Sequence, residues 1–230
     1  MHFNFKIFFL SLLLGCGNKE PPPPPVELIF QVPLAIEPTR MTYTVGDTLW
    51  LSASFSNQIQ EINTNQRYIV TPDNFDLRTH IGIRQLVYSN KYFSEQPGAQ
   101  SKFKFIHKVG DIAVLGPTFG SIKYEYNKEM YNARIGIIPL DTGTFSLNFL
   151  NGWGVKRSNE PWPNLSFINL PTTTDGNTQQ ASYLTTFYYI NEGNNNFNLL
   201  QKRSQLTSFT NPIAMNINYE QEATYTFIID

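Results

Sequence analysis

From residue 27 onward, apolar and polar positions alternate in runs of six to ten residues separated by turn formers. A period of two places alternate side chains on opposite faces of an extended strand. The runs predict strands at Glu27–Leu34, Thr48–Phe55, His80–Tyr88, Lys102–Val109 and Ser121–Tyr126. They predict five more at Met130–Pro139, Thr144–Leu150, Tyr183–Ile190, Ile213–Asn218 and Ala223–Ile229. In Thr48–Phe55, Leu49, Leu51, Ala53 and Phe55 share one face. In Lys102–His107, charged and aromatic residues alternate, as in a half-exposed strand. Gly46-Asp47, Pro97-Gly98, Gly116-Pro117, Asp141–Gly143 and Asp175-Gly176 mark turns between them. Helical spacing is scarce. Asn196–Gln205 fits one short helix with Phe197, Leu199 and Leu200 inward, or another strand. Many strands with regular turns predict an all-β chain folded as an antiparallel β-sandwich.

The first 25 residues follow another pattern. Lys6 precedes an apolar run from Ile7 to Leu14. The run is shorter than the roughly 20 residues of a membrane span, and with Gly15 behind it has the form of a secretory signal peptide. Leu13-Leu14-Gly15-Cys16 resembles the lipobox of bacterial lipoproteins. The resemblance implies cleavage after Gly15, diacylglycerol on the Cys16 thiol and acylation of the new amine. Each buried acyl CH₂ contributes about 0.8 kcal/mol, and stable attachment takes more than one chain. Pro21–Pro25 then predict a stiff, extended spacer. The expected organisation is a signal peptide over 1–15, an acylated cysteine and proline-rich tether over 16–25, and a β-sandwich over 26–230. Setting aside the first 25 of 230 residues leaves 205, enough for one large sandwich or two small ones meeting near residue 116. Residues 151–180, rich in Asn, Thr, Pro and Gly, read as a long excursion.

Composition narrows the function classes. Charged residues are 15% against a usual value of about 25%, and aromatics are 14%. That balance argues against disorder. With 17 basic and 18 acidic residues, no field draws nucleic acid, and none is expected as a partner. Cys16 is the only cysteine, so once it is acylated neither a disulfide nor a thiolate metal site is possible.

Two body segments add a family resemblance. Val45-Gly46-Asp47-Thr48-Leu49-Trp50-Leu51 with Phe55-Ser56-Asn57, and Arg134–Pro139 before Gly143, resemble envelope lipoproteins of the Bacteroidota. The resemblance implies an immunoglobulin-like sandwich anchored in the envelope, at the outer membrane, and brings no activity with it.

Candidate chemistry is sparse. His80 and His107 lie in predicted strands with no carboxylate read at ligand spacing. Zinc-protease, nucleophile-elbow and phosphate-loop motifs are absent from the sequence. Asp73, Asn74 and Asp76, like Asp175 and Asn177, suit turns better than calcium, which takes six to eight oxygens. No metal or cofactor is expected. Asp47-Thr48-Leu49 fits a short O-glycan acceptor at the head of a strand. The segment from Asn151 to Pro163 holds Trp153, Lys156, Arg157 and Trp162. Its indoles either form a contact surface for a sugar or a protein, or fold back and plug the sandwich. The leading expectation is a non-enzymatic binding or structural lipoprotein, held to the membrane by its lipid, with a glycan or envelope protein as partner. The alternatives are a glycan-binding accessory lipoprotein using the Trp153/Trp162 loop, and a hydrolase whose paired carboxylates meet only on folding. Cys16→Ser should abolish acylation, leaving the chain unprocessed or soluble in a fractionation of membranes. A Cys16→Ser chain cleaved after Gly15 and as tightly bound as wild type would refute the anchor.

Overall fold

β1 (Val26–Glu37) turns Leu28, Phe30, Val32, Leu34 and Ile36 inward, and Pro33, Ala35 and Glu37 outward. The inward series is long enough to cross a whole sandwich. A computed structural model describes residues 26–73, 77–88, 93–97, 99–117, 119–150, 181–203 and 222–230. Its further strands are β2 (Thr42–Tyr43), β3 (Leu49–Ser56), β4 (Gln58–Gln60), β5 (Arg67–Ile69), β6 (Arg78–Tyr88) and β7 (Phe93–Pro97). They continue with β8 (Phe103–Val109), β9 (Asp111–Val114), β10 (Phe119–Lys123), β11 (Glu125–Asn127) and β12 (Met130–Pro139). The last are β13 (Gly143–Leu150), β14 (Ala181–Ile190) and β15 (Thr224–Ile229), with one helix, α1 (Phe197–Arg203).

The strands form two packed sheets and a small hairpin. The first sheet runs β11–β12–β3–β1–β14, with β8 also beside β12. The second runs β2–β15–β13–β6–β10–β9, with β7 also beside β6. β4 and β5 pair separately. Strands from before and after residue 116 alternate within both sheets, and buried residues from Leu28 to Ile229 share one core cluster. Aromatic rings fill much of it. Phe103 meets Phe145 edge-on at 4.9 Å, and Phe55 stacks on Tyr131 at 5.4 Å. This is where an aromatic-rich, charge-poor composition goes.

The sandwich is as expected, but it is not purely antiparallel. β1 pairs parallel with β14, and β15 pairs parallel with β2. A hairpin forces antiparallel neighbours, whereas a long connection leaves direction free. Both parallel pairs join strands far apart in sequence. The predicted strand Ser121–Tyr126 is divided, because Tyr124 leaves the ladder and buries its ring, its hydroxyl bonded to Thr79. Asn196–Gln205 is resolved toward the helix, and Phe197, Leu199 and Leu200 are all buried. Phe197 and Leu200 pack with Leu86 on the outer side of the second sheet. The predicted strand Ile213–Asn218 lies outside the described residues.

Two local devices hold the layers in place. Gly110, at φ +71°, turns the chain from β8 in the first sheet into β9 in the second. A Cβ there would stand 2.5 Å from the Lys123 carbonyl, so only glycine fits. Glu61 is 0% exposed and joins the β4–β5 hairpin to β1. Its carboxylate accepts from the Ile29 N–H at 3.1 Å, Asn63 N–H at 3.1 Å, Thr64 N–H at 2.7 Å and Thr64 Oγ1 at 2.6 Å.

Burial pushes the Glu61 carboxyl upward, but the bonds from Thr64, Ile29 and Asn63 together outweigh it and leave it below the ordinary 4.5. A lowered carboxyl stabilises the fold above its unfolded value and loses that contribution as pH falls through the folded one. Glu61→Gln should therefore cost about 2 kcal/mol at neutral pH, roughly 4–8 °C in Tm for a chain of this size. The gap to wild type should close as the melts are taken below about pH 4. A gap unchanged down to pH 3 would assign Glu61 to packing alone.

Candidate functional site

The outer face of the first sheet is built in rows by strand register. Ala35 of β1 sits beside Ser52 of β3, which sits beside Arg134 of β12. The next row is Glu37, Trp50 and Gly136. Ser54 and Asn132 make a third, with the Ser54 hydroxyl donating to Asn132 Oδ1 at 2.9 Å. Because Leu49, Leu51, Ala53 and Phe55 face the core, Trp50, Ser52 and Ser54 must face outward.

The first and third rows, with Glu37 of the second, line an open groove of about 660 Å³. Small residues, Ala35, Ser52 and Ser54, keep the floor low. Asn132 and Arg134 of β12 stand on one side. Tyr189 of β14, and Asn191, Glu192 and Asn194 of the turn after it, stand on the other. Glu37 lines the groove from the end of β1. Trp50 is outside the lining and meets the groove through Arg134. The indole crosses β12 over Gly136, where a Cβ would come within 3.1 Å of its Cζ3 atom. The Arg134 guanidinium sits 5.1 Å from the indole centroid. That cation–π contact, worth about 0.5–1 kcal/mol at an exposed site, fixes the direction of a long side chain.

The opposite wall rests on an unusual turn. Asn191 and Glu192 adopt φ 47° and 54°, followed by Gly193 at φ 91°. Left-handed backbone is disfavoured for side-chain-bearing residues and needs compensation. Asn191 supplies it. Its Oδ1 accepts from the Ile36 N–H at 2.7 Å, and its Nδ2 donates to the Ile36 carbonyl at 3.2 Å. Nδ2 also reaches Thr39 Oγ1 and the Asn194 carbonyl, each at 3.3 Å. The side-chain amide thus takes the place of a peptide unit against β1, and Glu192 stands exposed at the groove rim.

The loop leaving Glu37 is held as firmly. The Tyr43 hydroxyl donates to the Pro38 carbonyl, and the Tyr225 hydroxyl donates to the Arg40 carbonyl at 2.8 Å. The two phenol oxygens are 2.9 Å apart. Asn196 Nδ2 donates to the Arg40 carbonyl at 2.9 Å. Burial, then the hydrogen bond to Tyr225, holds the Tyr43 phenol far above its ordinary value. Burial also raises Tyr225. The clamp is therefore uncharged throughout the physiological range.

Cys16, Trp153, Lys156, Arg157 and Trp162 lie outside the described residues. His107 corrects an expectation. Its Nδ1 lies 2.6 Å from Asp111 Oδ1, across the turn at Gly110, so a carboxylate four residues on does reach it. Both side chains are largely exposed. His80 is lowered by burial first and then by the Arg78 charge, against a hydrogen bond with the Gly120 backbone. Among the described residues no three His, Cys, Asp or Glu side chains converge as a metal site. Asp47 closes a turn, accepting from the Thr44 N–H at 3.0 Å. That bond, its largest influence, holds its carboxyl below the usual carboxylate range.

No family model matches the chain, and no curated protein matches it. Among solved structures it is similar to the second type II cohesin module from the adaptor ScaA scaffoldin of Acetivibrio cellulolyticus. Identity there is 14%, over 69% of this chain and 86% of that one, with a TM-score of 0.27. It is also similar to the type II cohesin dyad of the same scaffoldin, at 14% identity over 67% of this chain and 46% of that one, with a TM-score of 0.24.

The turn at Asn191 can be tested by paired substitutions. Asn191→Ala loses both the amide bonds and the tolerance for left-handed backbone. Asn191→Gly loses only the bonds. Asn191→Ala should melt lower than Asn191→Gly by the equivalent of roughly 1 kcal/mol, and Asn191→Gly should itself fall about 1–2 kcal/mol below wild type. Equal melting of Asn191→Gly and wild type would show that the amide does not hold the wall.

Proposed function

We propose that the mature chain is a lipid-anchored protein of the bacterial envelope, attached through Cys16 at the outer membrane, that works by binding. Its contact site is the groove on the outer face of the first sheet. The anchor rests on the lipobox and on the unique cysteine inside it. The proline run gives the folded domain a stiff stand-off from the lipid surface.

The observation that carries the binding role is the way both groove walls are held. One wall is set by Arg134 stacked on Trp50, the other by the Asn191 amide bonded to β1. Backbone strain and locked side chains gather where a surface must meet a ligand in one shape, because preorganisation lowers the entropy lost on binding. A hydrolytic role is the rival, since folding does bring two carboxylates, Glu37 and Glu192, to one groove. Both are exposed at an open rim. A glycosidase encloses its general acid and excludes bulk water, and this groove does neither. The Trp153–Trp162 loop is the alternative contact surface.

Placing a photo-crosslinking residue at Ser54, on the groove floor, tests the site in intact envelopes. A second at Val114, 57% exposed on the second sheet, serves as control. Adducts should form from position 54 and not from 114. Adducts from a probe at Trp153 with none from Ser54 would move the contact site to the loop.

A further inference from the structure

We infer that the groove is a carbohydrate site, built for a short internal stretch of an uncharged oligosaccharide. This rests on the groove being the contact site and goes further, to the chemistry of its ligand.

Hydrogen-bonding capacity is the first ground. Carboxylates at Glu37 and Glu192 accept only, the Arg134 guanidinium donates only, and Asn132 and Asn194 offer both. Neighbouring sugar hydroxyls each donate and accept, so planar carboxylate, amide and guanidinium groups can take adjacent pairs of them with two bonds each.

A ring face is the second ground. Tyr189 stands at the margin of the groove, and its ring offers an apolar face suited to the C–H side of a sugar. Trp50 is outside the lining and carries the Arg134 guanidinium over its ring, so its part is to hold Arg134 in place.

Two absences from the lining narrow the class. The fixed charges are two carboxylates against one guanidinium, an arrangement that repels uronates, sulfates and phosphates. The exposed large hydrophobics of the described residues, Met41, Val45, Ile69, Val114, Leu115 and Leu140, all lie outside the lining. A protein interface is centred on desolvated apolar or aromatic anchors filling pockets, whereas Tyr189 is the one aromatic side chain in this lining, with Pro33, Leu34 and Val109 the larger aliphatic ones. Its volume of about 660 Å³ is within the range of small-ligand sites. The groove is open to solvent, which leaves room for a chain that continues beyond it.

The full processed chain in detergent micelles should be applied to immobilised neutral oligosaccharides of three to six rings, from glucan, mannan, xylan and chitin. Uronic-acid and sulfated oligosaccharides of the same length serve beside them. Retention on at least one neutral series is expected. Arg134→Ala, and separately the isosteric Glu192→Gln, should weaken it about tenfold or more, with Tm lowered by no more than about 4 °C in Arg134→Ala, which loses the contact with Trp50, and unchanged in Glu192→Gln, while Trp153→Ala and Trp162→Ala should leave it intact. Retention confined to acidic sugars overturns the inference. So does neutral binding that survives both groove variants and fails with the loop variants. If nothing is retained and the Ser54 probe yields protein adducts, the groove remains the contact site and the carbohydrate inference falls. If nothing is retained and that probe yields no adduct, both fall.

Discussion

The alternation of β1 from Phe30 to Glu37 is the constraint on which the rest of the molecule depends. Five inward apolar residues, Leu28 through Ile36, commit the strand to the core. The same period sends Ala35 and Glu37 outward. A slip of one residue would exchange the two sets and bury Glu37. Since β1 lies between β3 and β14, its register sets both neighbours, and through β3 it sets β12. The groove is the reverse side of that commitment. Its floor is made of whatever the core did not use.

How much of this was legible in the sequence depended on how local the cause was. Met130–Pro139 matches β12 end to end, because its alternation is uninterrupted and its turns are strong. Thr42–Tyr43, Gln58–Gln60 and Arg67–Ile69 went unread, because strands of two or three residues carry no period. The parallel pairing of β1 with β14 also left no local mark, since it joins residues more than 150 positions apart. The groove divides in the same way. That Trp50 faces outward was implicit once Leu49, Leu51, Ala53 and Phe55 were placed inward, and an aromatic on the polar face of a strand is a usable signal. The run Asn191-Glu192-Gly193-Asn194-Asn195-Asn196 was a second signal, since Asn and Gly tolerate left-handed backbone. That Arg134 would meet Trp50 could not be read, because only the β3–β12 register brings them together.

Stability and recognition draw on different parts of the composition. With no second cysteine to form a bridge, the two sheets are held by ring and aliphatic packing, from Phe103, Phe145, Phe227 and Tyr131 inward to Ile135. The few charges are spent at edges and turns. Lys102 meets Asp141 at 2.6 Å, and Arg40 stands 3.9 Å from Asp47. Exposed pairs of this kind add little to folding. Their use is to fix loops, as the neutral Tyr43–Tyr225 clamp does for the loop beyond Glu37.

The position of β1 has a mechanical consequence. The described fold begins at Val26, and the groove lies at the far end of the same strand, around Ala35 and Glu37. A protein tethered by its N-terminus and pulled through a ligand in that groove would feel the load along the axis of β1. Nine residues of β1 are paired with β14 and three with β3. Pulling along such a strand shears its ladders, so many hydrogen bonds resist together, whereas pulling across a strand unzips them one at a time. Under such a load the strand that forms the groove floor would also be the one to bear tension, and it would be loaded in its stronger direction.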